Sequence, residues 1–417
     1  RYPLFKMKIY IYIIFFNIVL SQSSSLALYG LGEMNNTVDA SGLSLGDSRL
    51  FSNNSFILSA PSTYYKNKQA SLAMTMTFND LNTDYINNLK SNNFNHVSFG
   101  FPITDNQYFM ISLKPVLRSM MRIEENEFTF LGSDISHLDT NGDGETDPVK
   151  YKSSYNFKGG MSEVSTSLSS KITDNFSLGF KFGKLFGTFT RKDTLNFYTV
   201  DYDNNGEQIN STWFGGEPRQ NKFNYSSYSY NVDGRLKLKS NNILAFYYGE
   251  SDRLKIDAQY DNFDPVIYSI KGYQEYGLGF KSYLYSGFGY IIESQNYNSF
   301  DCQNLINIFN KPSLNINSMN YGIFYKDSNV RNMNINFINY NIGFYDKIYT
   351  LDNSETSLSD FGFTFGLGLE YLNENSFNLT LQVGQRLSEF EEFNNEKYYK
   401  LTFSIVSNND WFIKENE

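Results

Sequence analysis

The stretch Asp360–Arg386, DFGFTFGLGLEYLNENSFNLTLQVGQR, limits the fold more than any other. Phe361, Phe363, Phe365, Leu367 and Leu369 alternate with Gly362, Thr364, Gly366, Gly368 and Glu370. After NENS the pattern resumes, with Phe377, Leu379, Leu381 and Val383 set against Asn378, Thr380, Gln382 and Gly384. Successive side chains of a strand point to opposite faces. The stretch therefore reads as a β-hairpin with one broad oily face and one small, polar face. Either protein or lipid must cover the oily face.

The pattern recurs in FSLGFKFGK (Phe176–Lys184), YGLGFKS (Tyr276–Ser282) and YKLTFSI (Tyr399–Ile405), and more weakly in EVSTSLSSK (Glu163–Lys171). Lysines sit on the small-residue side, which predicts that this side is wet. Between the alternating segments, long and short connections take turns. Long ones fall at Asn79–Asn95, Glu125–Lys150, Arg191–Lys222, Asn296–Ile316 and Asp346–Asp360, with a longer turn at Asp257–Ser269. Short ones fall at Ile103–Gln107, Thr173–Asn175, Ser240–Asn242, near Tyr285, at Asp327–Asn332 and at Asn373–Ser376. A sandwich with Greek-key crossings has no reason to alternate in this way, whereas an up-and-down membrane barrel has short turns at one mouth and long loops at the other. The expectation is an all-β, transmembrane, antiparallel up-and-down barrel of about 14 strands, the even number bacterial outer membranes favour. Closure satisfies every backbone polar group without water. The oily face then meets lipid, and the polar face, with Lys181 and Glu370, meets a solvated lumen.

Composition agrees without deciding. The 417 residues suffice for one large barrel, and 33 Tyr and 38 Phe against 8 Pro favour strands, although an AT-rich genome yields the same bias. Mean hydropathy is −0.43, and no internal apolar run reaches the length of a membrane helix. With a net charge of −9 and no basic run or stripe along the chain, nucleic acid is excluded as a partner. Cys302, the one cysteine, has no partner for an internal disulfide and reads as a stray loop thiol.

At the N-terminus, Lys6 and Lys8 precede the apolar core Ile9–Leu20, and SQSSS follows. A charged flank, a short apolar core and small residues make a secretory signal, too short for a membrane anchor. Residues 1–21 are therefore expected to be a leader, starting at Met7 and cleaved near Ser21. Residues 22–70 form a second unit and residues 71–417 the barrel.

The second unit carries a resemblance. Tyr29-Gly30 is followed by the turn Leu31-Gly32, by SGLSLG (Ser41–Gly46) and by SAPS (Ser59–Ser62) before the first strand. This resembles the start of outer-membrane transporters related to the long-chain fatty-acid transporter. There a Tyr-Gly, a Gly turn and Asn-Pro-Ala lead into strand one; SAPS stands where Asn-Pro-Ala is usual. The resemblance implies that residues 22–70 enter the lumen as a hatch, with Tyr29, Gly30, Leu31 and Gly32 at its turn. It also implies that a kink in the third strand opens the wall sideways. Pro115, after Lys114 in YFMISLKPVLRSMMRIE (Tyr108–Glu124), sits where that break belongs, since proline cannot donate to a ladder; a turn between two short strands is the other reading. Trp411-Phe412 near the C-terminus suits the aromatic end of many barrels, or an interface belt.

The sharpest chemical motif is DTNGDGETD (Asp139–Asp147). Asp139, Asn141 and Asp143 alternate as oxygen ligands and Gly144 allows a sharp turn, as in the first half of a calcium loop. Glu145 and Asp147 add late carboxylates, but position twelve is Lys150, so a complete EF-hand is absent. Bound calcium and a solvated acidic turn both fit; no other cofactor is expected. Only His96 and His137 are present, with no visible nucleophile or orienting acid, so no catalysis is expected.

The expected function is passive uptake of hydrophobic compounds such as fatty acids across a bacterial outer membrane. Lateral exit would lie near Lys114-Pro115. The loops Glu125–Lys150 and Arg191–Lys222, with Trp213 and Phe214, would capture the ligand outside. The alternatives are a scaffold barrel in a protein-secretion or envelope assembly, with a protein partner at the loops, and a general polar porin. Membrane lipid is a partner in every case.

Overall fold

The structure is a computed structural model. It describes residues 24, 26, 31–34, 39–52, 57–83, 89–124, 129–130, 149–202, 208–239, 242–261, 263–285, 287–302, 314–328, 335–351, 356–371, 374–389 and 395–409. Residues 1–21, Tyr29, Gly30, His137 and the Asp139–Asp147 motif, with Asn141, Asp143 and Glu145, lie outside them.

Fourteen antiparallel strands make the wall. They are β1 (Ala70–Thr83), β2 (Leu89–Thr104), β3 (Gln107–Glu124), β4 (Val149–Lys171), β5 (Phe176–Tyr202), β6 (Gln208–Lys237) and β7 (Ile243–Ser251), followed by β8 (Gln274–Tyr285), β9 (Phe288–Asn298), β10 (Asn315–Asp327), β11 (Ile335–Thr350), β12 (Ser357–Tyr371), β13 (Ser376–Ser388) and β14 (Glu396–Asn409). Each pairs with the next, and β14 pairs with β1 from Glu396↔Thr83 to Asn409↔Ala70, which closes the barrel. The short connections lie at one mouth as expected. The opening hairpin is β12–β13, in register from Leu358↔Ser388 to Glu370↔Ser376. Phe363 (55% exposed) and Phe365 (47%) face outward, whereas Thr364 (0%) and Thr380 (1%) face inward. The oily belt thus faces hydrocarbon.

Two expectations change. Asn79–Asn95, Arg191–Lys222 and Asp346–Asp360 are not long loops: the strands run on, leaving only 84–88, 203–207 and 351–356 between them. The β5–β6 ribbon holds register as far as Tyr202↔Gln208. Pro218 faces Thr194 within the ribbon, beyond Asn221 where an outer hairpin leaves β6, and so sits on an edge, where proline is tolerated. Likewise the turn at Asp257–Ser269 belongs to a hairpin of strands Leu254–Tyr260 and Val266–Ile270; its first strand pairs with β6 from Lys255↔Ser226 to Tyr260↔Asn221.

The second change concerns the inner face, which is packed rather than wet. Residues 39–52 and 57–67 lie against it. Asp39 caps the short helix α1 (Ala40–Leu43), accepting the Gly42 N–H at 2.6 Å. Ala40 N–H donates to Ser404 Oγ at 2.7 Å, and Gly46 N–H to Thr364 Oγ1 at 3.1 Å. The small inner residues provide clearance for this segment. A Cβ on Gly366 would lie 2.2 Å from Ser44 Cβ, and one on Gly343 would lie 2.0 Å from the Gly46 nitrogen. Lys181 and Glu370 are correspondingly not solvated: Lys181 Nζ donates to Glu163 at 2.9 Å, and Glu370 is 6% exposed.

Candidate functional site

Ions pin the inner segment to the wall. The Arg49 guanidinium donates to Glu275 Oε1 at 2.8 Å, and Lys347 pairs with Asp47. Arg386 gathers three carboxylates: Glu396 at 2.9 Å, Asp360 at 3.1 Å and, from the inner segment, Glu33 at 2.9 Å. Burial by itself raises the Glu33 carboxyl, but the Arg386 and Lys400 cations outweigh it and hold the group below its usual range.

Glu33 leads to a seam in the wall. The β2–β3 ladder runs from Thr104↔Gln107 to Val97↔Leu113 and ends there. Beyond Leu113, β3 continues to Glu124 paired with β4 alone of the two neighbouring strands. Lys114 and Pro115 are the next two residues. At Pro115↔Ser162 the β4 register slips, so that Val116 becomes the extra residue before Leu117↔Met161. Such a bulge bends and twists its strand. On β4, Gly159 and Gly160 lie opposite at φ +138° and +155°, and a Cβ on Gly160 would meet the Leu117 carbonyl oxygen at 2.2 Å. Only glycine fits there. The KGGM sequence in a strand was the signal for this bend, and sequence reasoning passed over it.

The inner segment covers part of the seam. Glu33 pairs with Arg118 and Met34 with Leu117, a two-residue strand in the place β2 leaves. The preceding turn brings Leu31 (3% exposed) and Gly32 against β3; Gly32 has φ +119°, and a Cβ on it would lie 2.5 Å from the Arg118 carbonyl oxygen. Arg118 also reaches across to β2, donating to the Phe94 carbonyl at 2.7 Å. The structure therefore brings Leu31 and Gly32 together with the Lys114-Pro115 region. The Lys114 side chain points inward, with Nζ 3.6 Å from Glu163.

Above the seam the lumen is apolar. Leu26, Leu31, Val116, Leu117, Phe223 and Phe300 belong to one buried cluster, to which Leu254 and Ile256 of the outer hairpin also belong. A small cavity of about 40 Å³ lies within it, lined by Leu26, Leu31, Leu117, Phe300, Leu314 and Ile316 among others. Glu33, Met34 and Tyr349 also border a second, polar cavity of about 120 Å³ lined by Asp47, Lys347, Asp360, Arg386 and Lys400. The two-residue strand thus divides an oily chamber from a charged one. Trp213 (59% exposed) stands on the ribbon, away from both, and the side chain of Phe214 lies outside the described residues. His96 is buried on the inner face of β2, its Nδ1 without a partner. No cluster of metal-binding side chains occurs among the described residues.

A closed antiparallel barrel with an oily belt and an N-terminal segment folded into its lumen defines a bacterial outer-membrane protein with the long-chain fatty-acid transporter fold. A crystal structure of a Pseudomonas aeruginosa FadL homologue is similar at a TM-score of 0.53 and 11% identity, over 91% of this chain and 100% of that one. The CymD monoaromatic hydrocarbon channel is similar at 0.50 and 10%, over 94% and 99%. The BamG family model matches residues 5–416, and the chain belongs to that family. Comparison with curated proteins returns no match.

Proposed function

We propose that this barrel takes up hydrophobic small molecules, such as fatty acids, and releases them sideways between β2 and β3. The observation that carries the reading is the end of the β2–β3 ladder at Leu113, beside the apolar chamber lined by Leu31 and Leu117. A greasy solute that wedges into this apolar packing faces ion pairs on the lumen side and hydrocarbon beyond the seam. Desolvating it against Arg386 and its carboxylates gains nothing, whereas burial in lipid preserves roughly 25 cal/mol per Å² of apolar area. Native mass spectrometry of the barrel, gently extracted, tests this: hydrophobic adducts should co-purify, and a barrel bare under every mild extraction argues against it. A further check is Pro115→Val, which returns a backbone N–H to β3. Uptake of a fluorescent fatty acid should fall several-fold at unchanged barrel yield; equal uptake counts against the seam.

One observation favours a second reading, a scaffold barrel in an envelope assembly. The inner segment occupies much of the lumen and is held there by ion pairs. A stoichiometric protein partner on a barrel that carries no adduct would support it.

A further inference from the structure

Along the chain no basic stripe is visible, but strand register builds one. On β5, Thr190 pairs with Lys158 of β4 on one side and with Lys222 of β6 on the other. Lys192 follows two residues later and so lies on the same face. That face is the outer one: Phe186 has the same parity and is 42% exposed, whereas Leu185 (0%) and Phe189 (5%) point into the lumen. Lys158, Lys192 and Lys222 are all exposed, and Lys255, opposite Ser226, extends the group onto the outer hairpin.

Like charges on adjacent strands repel. Arg191 has its own acid, Asp193 at 2.8 Å, but both lie on the opposite face. The acids near the cluster are Asp257, across from Asn224, and Asp261, which accepts the Gln220 N–H at 2.7 Å. None of Lys158, Lys192, Lys222 and Lys255 forms an ion pair among the described residues. The cluster thus holds more cations than the acids beside it, and none of its lysines is matched by a carboxylate at pairing distance among the described residues.

Height identifies which anion. Strands rise about 3.3 Å per residue and tilt about 40°, so the ten residues from Phe176 to Phe186 climb about 25 Å, the height of the apolar band. Thr190 stands about 10 Å higher, at the level of the lipid headgroups of the outer leaflet. We propose that Lys158, Lys192 and Lys222 form a docking site for the phosphate groups of outer-leaflet lipids, on the outside of the barrel and independent of any path through its lumen.

The probe is bisphosphorylated lipid A, titrated into phosphatidylcholine nanodiscs holding the full chain, with bound lipid counted by native mass spectrometry. Lys158→Gln/Lys192→Gln/Lys222→Gln should retain lipid A at least tenfold more weakly, and the corresponding triple arginine variant should retain it normally. Wild-type retention should weaken with added salt, and dephosphorylated lipid A should bind no better than lipid A binds the glutamine variant. Equal retention by the glutamine variant, or equal binding of the dephosphorylated form, overturns the proposal. So does loss of a co-purifying protein from the variant with lipid A unaffected. If the glutamine variant does not fold, the salt and dephosphorylation measurements on the wild type still decide the question.

Discussion

A chain carrying Met34→Cys and Leu117→Cys, with Cys302→Ser removing the native thiol, is expected to import a fluorescent fatty acid at least tenfold more slowly when oxidised and to recover on reduction. Met34 and Leu117 are directly opposed in the two-residue pairing. Opposed residues of antiparallel strands lie about 4.5–5.5 Å apart, within the Cα range that a disulfide spans. Two residues of pairing amount to a few hydrogen bonds, each worth about 1 kcal/mol net. Thermal motion breaks such a contact readily; a covalent bond would hold it shut. The reduced chain is its own control, because the substitutions are present in both states. If the oxidised chain imports as fast as the reduced one, the Glu33–Met34 strand is not a gate.

Arg386→Met is expected to cost about 3–5 kcal/mol of stability, the usual effect of removing one side of a buried ion pair. The Arg386 side chain is 3% exposed, and its loss leaves Asp360 (2%) and Glu396 (0%) beside each other without the guanidinium that bonds both, with Lys347 and Lys400 as the remaining cations of that cavity. The loss should appear as a lower temperature for the shift in electrophoretic migration that marks barrel unfolding. Adding Asp360→Leu to Arg386→Met should return part of the stability, because an apolar replacement removes the stranded charge rather than leaving it. A barrel indifferent to Arg386→Met would mean that water reaches this cluster freely and that the inner segment is loosely held.

The wall was readable from the sequence because membrane burial imposes a period of two on every strand. The alternation at Phe361–Leu369 and the places where alternation breaks were enough for the architecture and strand number, although the strands run further than the connection lengths suggested. The inner face was not readable, since small and polar residues look the same whether water or a packed segment lies against them. Gly366 and Gly343 are small because Ser44 and Gly46 press on them, contacts more than 290 residues apart in sequence. The ribbon was missed for a local reason: Gly215, Gly216 and Pro218 resemble a loop until their partners on β5 are known. At the seam, Pro115 and the turn at Leu31-Gly32 stood out separately, but nothing in the sequence put them in contact. The lysine cluster needed the register of three strands.

The inner segment also orders the making of the molecule. It touches β12 through Thr364 and β14 through Ser404, while β14 seals against β1 along the full length of both strands. Once that last lateral junction zips, the wall between β14 and β1 is continuous. Residues 39–52 and 57–67 precede every strand of the wall, yet their bonds go to strands placed last in the chain, so the seating of this segment and the shutting of the cylinder depend on each other.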